Sequence, residues 1–311
     1  MLINEGLSRD FIRLVVWYPL RWLISILPVR TSYKVFNLMG DMHFFLSKGK
    51  KERLSEHINS ALPALSQAET GKVIRGYFRI HYANQMQVFL FPRFTLKSIA
   101  KIHSFKGLEN LDAALRKGRG CVLVHPHFGP AQLPLCHLGL LGYPVMQLGL
   151  PTGDGLSYIG KNVAFRLRLK YEAAIPAKII SADTFLRPVV ECVKNNGVLM
   201  TTGDGAGGGK LVGKFMFVDF LGNSTRFPIG AGTLAYNTGA SLLAMFTVLK
   251  DDGAYESIIH PVFESRGTGR RQIVEAYTIA FAAKMEEYLK KQPYLWHFWD
   301  EWSDRLAEES S

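Results

Sequence analysis

From Leu108 onward the apolar and polar positions alternate between two periods. Leu108 to Arg116 has helical spacing, Cys121 to Val124 is an apolar run of strand length, and Gln132 to Leu141 is helical again. Val145 to Leu148 reads as a second strand behind the turn Gly142-Tyr143-Pro144. A helix over Asn162 to Glu172 follows, then Ile175 and a helix over Thr184 to Lys194 with Asp183 as its capping candidate. Gly197 to Thr202 is a third strand, Lys214 to Leu221 is rich in β-formers, and Ile229 to Tyr236 is helical. Strands over Ser241 to Val248 and Tyr255 to Val262 precede a helix over Ile273 to Lys291 that stops at Pro293. Trp296, Trp299 and Trp302 then recur every third residue, which puts them on one side of a short helix and predicts core packing. Strands alternating with helices predict an α/β fold, a central mostly parallel sheet flanked by helices.

The first hundred residues have a different pattern. Phe11 to Leu27 is strongly apolar, but Arg13 and Arg21 interrupt it and Pro19 would kink it. A spanning helix needs about 20 mostly apolar residues without charges in mid-span, and a signal peptide needs a short clean apolar core. A helix with Trp17, Trp22 and two arginines suits the bilayer interface better, rings at headgroup depth and arginines reaching phosphates. Two basic clusters, Lys48/Lys50/Lys51/Arg53 and Arg93/Lys97/Lys101/Lys106, follow aromatic stretches and suit an anionic lipid surface. The expected division is therefore an N-terminal helical, membrane-associating region over residues 1–107 and an α/β domain with a C-terminal helix over 108–311.

Composition agrees. The 311 residues are 48% hydrophobic and only 20% charged, which excludes disorder, and length allows a large core. A net charge of +11 calls for a polyanionic partner, nucleic acid or an anionic membrane surface. No helix-turn-helix, zinc finger or ribonucleoprotein motif places basic residues for a groove or a stacked base, so nucleic acid is set aside. Cys121, Cys136 and Cys192 form no CxxC pair and read as reduced thiols rather than a disulfide framework or zinc site.

The candidate chemistry centres on Cys121 to Gln132, CVLVHPHFGPAQ, where a buried strand ends in two histidines and Phe-Gly-Pro turns the chain into a helix. Reactive side chains gather at the carboxyl ends of strands in open α/β sheets, which makes His127 the first catalytic candidate. His125 has the same strand parity and is the rival, with a structural hydrogen bond as its plainer role. Other motifs fail. Gly203 to Gly208 matches GxGxxG, but KLVGKFMFVDF follows where a dinucleotide site needs a helix, and the P-loop reading of Lys210 fails because Leu211 follows it. There is no G-x-S-x-G elbow and no HExxH, and two imidazoles without nearby thiolates or carboxylates make no metal site.

Four segments carry a resemblance: His127 on its strand-to-helix turn, Asn162 followed by FRLR of Phe165 to Arg168, GVLMTTGD of Gly197 to Asp204, and Phe220 to Phe246. Together they resemble the lipid A biosynthesis acyltransferases, the late lauroyl and myristoyl transferases of the lysophospholipid acyltransferase superfamily. Mannoside acyltransferases of mycobacteria are similar. The resemblance extends to the apolar N-terminal helix, the early basic stretch before Asn59 and Pro63, and the Trp-rich close. It implies transfer of a fatty acyl group from an acyl carrier protein or coenzyme A thioester to a hydroxyl of a membrane lipid or glycolipid, at the cytoplasmic face of a bacterial inner membrane, without a cofactor. In that family the histidine of an H-x4-D/E motif is the general base. Carried over, His127 is the base, with Arg166 and Asp204 completing the site. Histidine suits proton removal from a hydroxyl at neutral pH, and Arg166 or the turn Phe128-Gly129 could face the oxyanion. His125, Phe128, Gly129 and Arg168 are the expected substrate contacts.

Position 132 departs from the motif, because Gln132 stands where the family has an acid. An amide can orient an imidazole but cannot stabilise an imidazolium, and the analogous loss in a serine protease costs about 10⁴ in turnover. Three outcomes stay open: another carboxylate, Asp204 first, takes the role; Gln132 suffices for an easier transfer; or the protein binds lipid or an acyl carrier without catalysis. A carboxylate within hydrogen-bond reach of His127 would discriminate among them.

Overall fold

In a computed structural model, residues 6–149, 155–181, 186–207, 213–264 and 269–307 are described. Asp183, Gly208, Lys210 and Leu211 lie outside them. The N-terminal part is helical: α1 (Leu7–Val15), α2 (Arg21–Ile26), α3 (Val29–Leu46), α4 (Lys48–Ala61), α5 (Gln67–Met86) and the short α6 (Leu96–Ile99). Between α1 and α2 the helix widens into one π turn, Val16–Leu20, which accommodates Pro19 without ending it. α5 opens on a capping box, in which Ser66 accepts from the Glu69 N–H and Glu69 accepts from the Ser66 N–H.

The sheet has seven strands. They are β1 (His103–Lys106), β2 (Cys121–His125), β3 (Val145–Gly149), β4 (Lys178–Ser181) and β5 (Val198–Thr202), with β8 (Ser241–Leu249) and β9 (Tyr255–Ile259). The intervening β6 (Phe215–Phe220) and β7 (Asn223–Pro228) pair only with each other, as an antiparallel hairpin. Sheet order is β1-β9-β8-β2-β5-β3-β4, parallel at every pairing except β8 with β9. The expected mostly parallel α/β sheet is present. Its flanking helices are α7 (Leu108–Arg116), α8 (Leu133–Leu140), α9 (Arg166–Glu172), α10 (Arg187–Lys194), α11 (Gly230–Thr238) and α12 (Arg270–Lys291).

β2 occupies the middle of the sheet, and all five of its residues are buried. That is why it reads as an unbroken apolar run, as strands covered on both faces do. The periodicity did not predict β7 of the hairpin or, in the main sheet, β1 and β4, which are its two edges. Each edge strand is four residues long, and half-buried polar positions leave no apolar run to read. β9 ends at Ile259 rather than Val262, because Pro261 has no N–H for the ladder. The three C-terminal tryptophans are core, each at most 1% exposed, but they share no helix: Trp296 bridges Phe128 in extended backbone, Trp299 opens the 3₁₀ turn Trp299–Glu301, and Trp302 lies between that turn and the next, Ser303–Arg305. α5 packs on Pro293–Leu295 and α4 on Trp299–Glu301, so this last segment is held between the helical region and the end of the sheet.

Candidate active site

The parallel pairing of β2 with β5 sets residue 125 beside residue 202, His125 opposite Thr202. Two residues further along each strand, His127 and Asp204 emerge at the same carboxyl edge. Asp204 Oδ1 and His127 Nδ1 are 2.8 Å apart, and Asp204 Oδ2 accepts the His127 backbone N–H at 2.9 Å. A third donor, the indole N–H of Trp296, reaches Oδ2 at 3.0 Å. Gly203 permits the approach, since a Cβ there would stand 2.5 Å from the Phe281 ring and 2.6 Å from Val124.

The two members of the pair differ in access. The Asp204 side chain is 1% exposed and that of His127 26%, so the imidazole reaches solvent while the carboxylate does not. Burial opposes charge on Asp204. The His127 beside it, by charge and hydrogen bonds, and the Arg305 guanidinium outweigh that and hold the carboxyl down at about 2. Ionised, it can only accept, which fixes the neutral imidazole with its proton on Nδ1 and a lone pair on Nε2.

The other sequence candidates fall elsewhere. His125 is buried, with Nδ1 on the Pro126 carbonyl at 3.0 Å and Nε2 without a partner among the described residues, and burial lowers it to about 4. Its expected parity with His127 is lost at Pro126, where the strand has ended. Gln132 lies at the start of α8 and donates to Glu172 Oε1 at 3.3 Å, an oxygen that also accepts from Arg168 Nε at 2.8 Å. Gln132 therefore belongs to an ion-pair cluster with α9. Phe128 is a buried ring, and the N–H groups of Phe128 and Gly129 already donate to Pro126 and Leu295 carbonyls, so this turn offers no free oxyanion donor. Arg166 is exposed and makes no hydrogen bond or ion pair to any described residue. It lines a pocket of about 410 Å³ with Tyr18, Asn162 and Lys170.

Several basic residues read as lipid contacts turn inward instead. Arg13 bonds Asp10 and Ser157, and Arg21 donates to the Tyr171 hydroxyl at 2.7 Å. Arg93 caps the end of α2 through the Ile24 and Leu27 carbonyls, and Lys50 pairs with Asp300 at 3.5 Å. Trp17 is buried against Phe89, whereas Trp22 is exposed. Apart from Asp10 beside Arg13, the partners of these heads are distant in sequence, and local pattern cannot reveal them. Among the described residues no helix is long and apolar enough to cross a membrane, and no three His, Cys, Asp or Glu could hold a metal ion.

The pattern missed the residues from 295 onward that surround the dyad. Trp296 holds Asp204, the Phe298 ring lies 4.4 Å from that of His127, and the Arg305 guanidinium is 3.8 Å above Phe298 and bonds the Asp204 carbonyl. The every-third-residue tryptophans were visible, but their use was not.

What fold and site define is an α/β protein with a histidine–carboxylate pair at the carboxyl end of its central strand. The family description "Bacterial lipid A biosynthesis acyltransferase" matches residues 9–301, and the chain belongs to that family: it is an acyltransferase. Similar curated proteins are the phosphatidylinositol mannoside acyltransferases of Mycobacterium tuberculosis, 24% identical over 283 residues that cover 85% of this chain and 81% of theirs. That of Mycolicibacterium smegmatis is 25% identical over 209 residues, 65% of this chain and 63% of its own. Among solved structures, the 1-acyl-sn-glycerophosphate (LPA) acyltransferase PlsC of Thermotoga maritima aligns with 83% of this chain and 98% of its own at 14% identity and a TM-score of 0.37.

Proposed function

We propose that this acyltransferase moves a fatty acyl group from an acyl thioester, on an acyl carrier protein or coenzyme A, to a hydroxyl of a membrane lipid or glycolipid, with His127 as general base. The supporting observation is the 2.8 Å contact between His127 Nδ1 and the buried Asp204 carboxylate. Nε2 takes the proton of the acceptor hydroxyl as its oxygen attacks the thioester carbonyl. The tetrahedral intermediate collapses, the C–S bond breaks, and the thiolate leaves with the electron pair. Asp204 stabilises the imidazolium formed on the way, the role that the family's acid at position 132 would otherwise have. The proton on Nε2 then passes to the thiolate or to water. In this reading Arg166 and Arg168, on the rim formed by α9, meet phosphate on the donor or acceptor.

The same reading seats the protein peripherally on the cytoplasmic face of a bacterial inner membrane, through residues 1–107. Its support is the outward stripe Leu7, Phe11, Val15, Tyr18, Trp22 and Ile26, all exposed and spaced by three or four residues. An apolar stripe facing away from the core is the reverse of an ordinary surface helix, and a bilayer would cover it.

Lipid mass spectrometry of a deletion strain, complemented with wild type or His127→Ala, tests the reaction. Acylated lipid lost in the deletion should return with wild type alone; full rescue by His127→Ala sinks the catalytic assignment. Turnover of matched acyl-CoA and acyl-carrier-protein donors by purified protein identifies the donor.

A further inference from the structure

We infer that Trp296 is a positioning residue for the reaction, fixing the Asp204 carboxylate through its indole N–H; the inference rests on the reading of His127 and Asp204 as base and acid. The geometry is that of a clamp. Residues 295–297 run antiparallel to residues 127–129: the Gly129 N–H donates to the Leu295 carbonyl at 3.0 Å, the His297 N–H to the His127 carbonyl at 3.1 Å, and Phe128 bridges Trp296. The backbone of one short segment thus holds the base, and the side chain in its middle holds the acid.

Each oxygen of Asp204 has its own task. Oδ1 faces His127 Nδ1, while Oδ2 accepts the His127 backbone N–H and the Trp296 indole N–H. Without the indole, Oδ2 keeps a single donor, and that donor belongs to the residue being oriented. An indole suits this place because it donates one hydrogen bond, accepts none and has no charge. It fixes the carboxylate without neutralising the negative charge that the imidazolium needs, which an arginine at the same oxygen would do.

Trp302 supplies the contrast. It is as buried as Trp296, its ring 6.1 Å away in the same cluster, yet its Nε1 has no partner among the described residues. A tryptophan is accommodated in this core without a hydrogen bond, so filling space does not by itself account for the bond to Asp204. The segment is held from behind as well. Trp299 Nε1 donates to the Pro293 carbonyl at 2.6 Å, and His57 Nδ1 donates to the Trp299 carbonyl at 2.7 Å.

The test is a double-mutant cycle with a packing control, read as kcat and KM. Trp296→Phe keeps an aromatic ring and removes the N–H; it should lower kcat about 10- to 100-fold and leave KM within about twofold. Trp302→Phe removes the same atoms with no bond to lose, and kcat should fall by no more than about threefold. In an Asp204→Asn background, adding Trp296→Phe should cost less than about twofold. Equal losses from the two tryptophan variants, or a full Trp296→Phe penalty on top of Asp204→Asn, overturn the inference in favour of packing. If His127→Ala and Asp204→Asn abolish turnover while Trp296→Phe leaves kcat within about threefold of wild type, the inference alone fails. Wild-type turnover in His127→Ala instead removes the reading beneath it. Indole N–H resonances of ¹⁵N-tryptophan-labelled protein read the same bond without altering Trp296: Asp204→Asn should move its signal and spare that of Trp302. An unmoved Trp296 signal overturns the inference even if Trp296→Phe does not fold.

Discussion

His127 and Asp204, 77 residues apart in sequence, meet at 2.8 Å because β2 and β5 are adjacent parallel strands in register. Parallel neighbours end at the same edge, so any two residues equally far past paired positions become neighbours in space. This relationship assigns to Asp204 the place opposite the imidazole, and leaves Gln132 bound to Glu172.

Asp204→Asn should therefore lower kcat by about 10³- to 10⁴-fold, by analogy with loss of the acid in a serine protease. Gln132→Ala should cost less than about tenfold, through the weakened contact with α9. Steady-state turnover of one acyl thioester by both variants checks the contrast. Comparable losses would return the acid's role to position 132.

Gly203 stands between Thr202, the last residue of β5, and Asp204, and a methyl group there must displace the Phe281 ring or Val124. Gly203→Ala should cost about 1–3 kcal/mol of stability by overpacking, with a lower kcat because the displacement occurs next to the carboxylate. Urea denaturation and turnover of the same preparation measure both.

The outward stripe of α1 and α2 predicts vesicle binding. Burying one large apolar side chain is worth about 1.5–3 kcal/mol, so Phe11→Glu with Trp22→Glu should reduce binding to anionic vesicles more than tenfold. Both side chains are exposed, at 68% and 64%, and the fold should tolerate the change. Sedimentation with vesicles, together with turnover of a short-chain soluble acceptor, separates docking from chemistry. Unchanged sedimentation would remove the bilayer as the cover of this face.

Stability should fall on acidification in two stages. Burial lowers His125 and His297 from the ordinary 6.5 to about 4, and lowers His81 and His103 in the same direction. Below 6.5 the unfolded chain takes up protons that the folded one refuses, so the contribution present at pH 7 shrinks as pH falls toward 4. Asp204 adds a second loss between its ordinary 3.8 and about 2, where the folded carboxylate resists a proton that the unfolded one accepts. Denaturation midpoints between pH 7 and pH 4 read the first stage. His297→Gln, which keeps a donor for the Gly129 carbonyl, should flatten that dependence.

Sequence alone determined the parts whose signal is local. The apolar run Cys121 to Val124 had to be a covered strand, the alternation after Leu108 had to give an α/β sheet, and His127 had to lie at a strand's carboxyl end. The family could also be read, since its segments recur in order along the chain. Tertiary structure decided everything that depends on which strands are neighbours and which side chains find partners. Edge strands β1 and β4 bury only part of themselves and left no pattern; Arg21 and Arg93 read as free cations because their partners are distant in sequence. The acid of the dyad belongs to the same class. A carboxylate five residues from His127 would have been visible as a motif, whereas one that arrives on β5, fixed by a tryptophan from the far end of the chain, exists only once the sheet has formed.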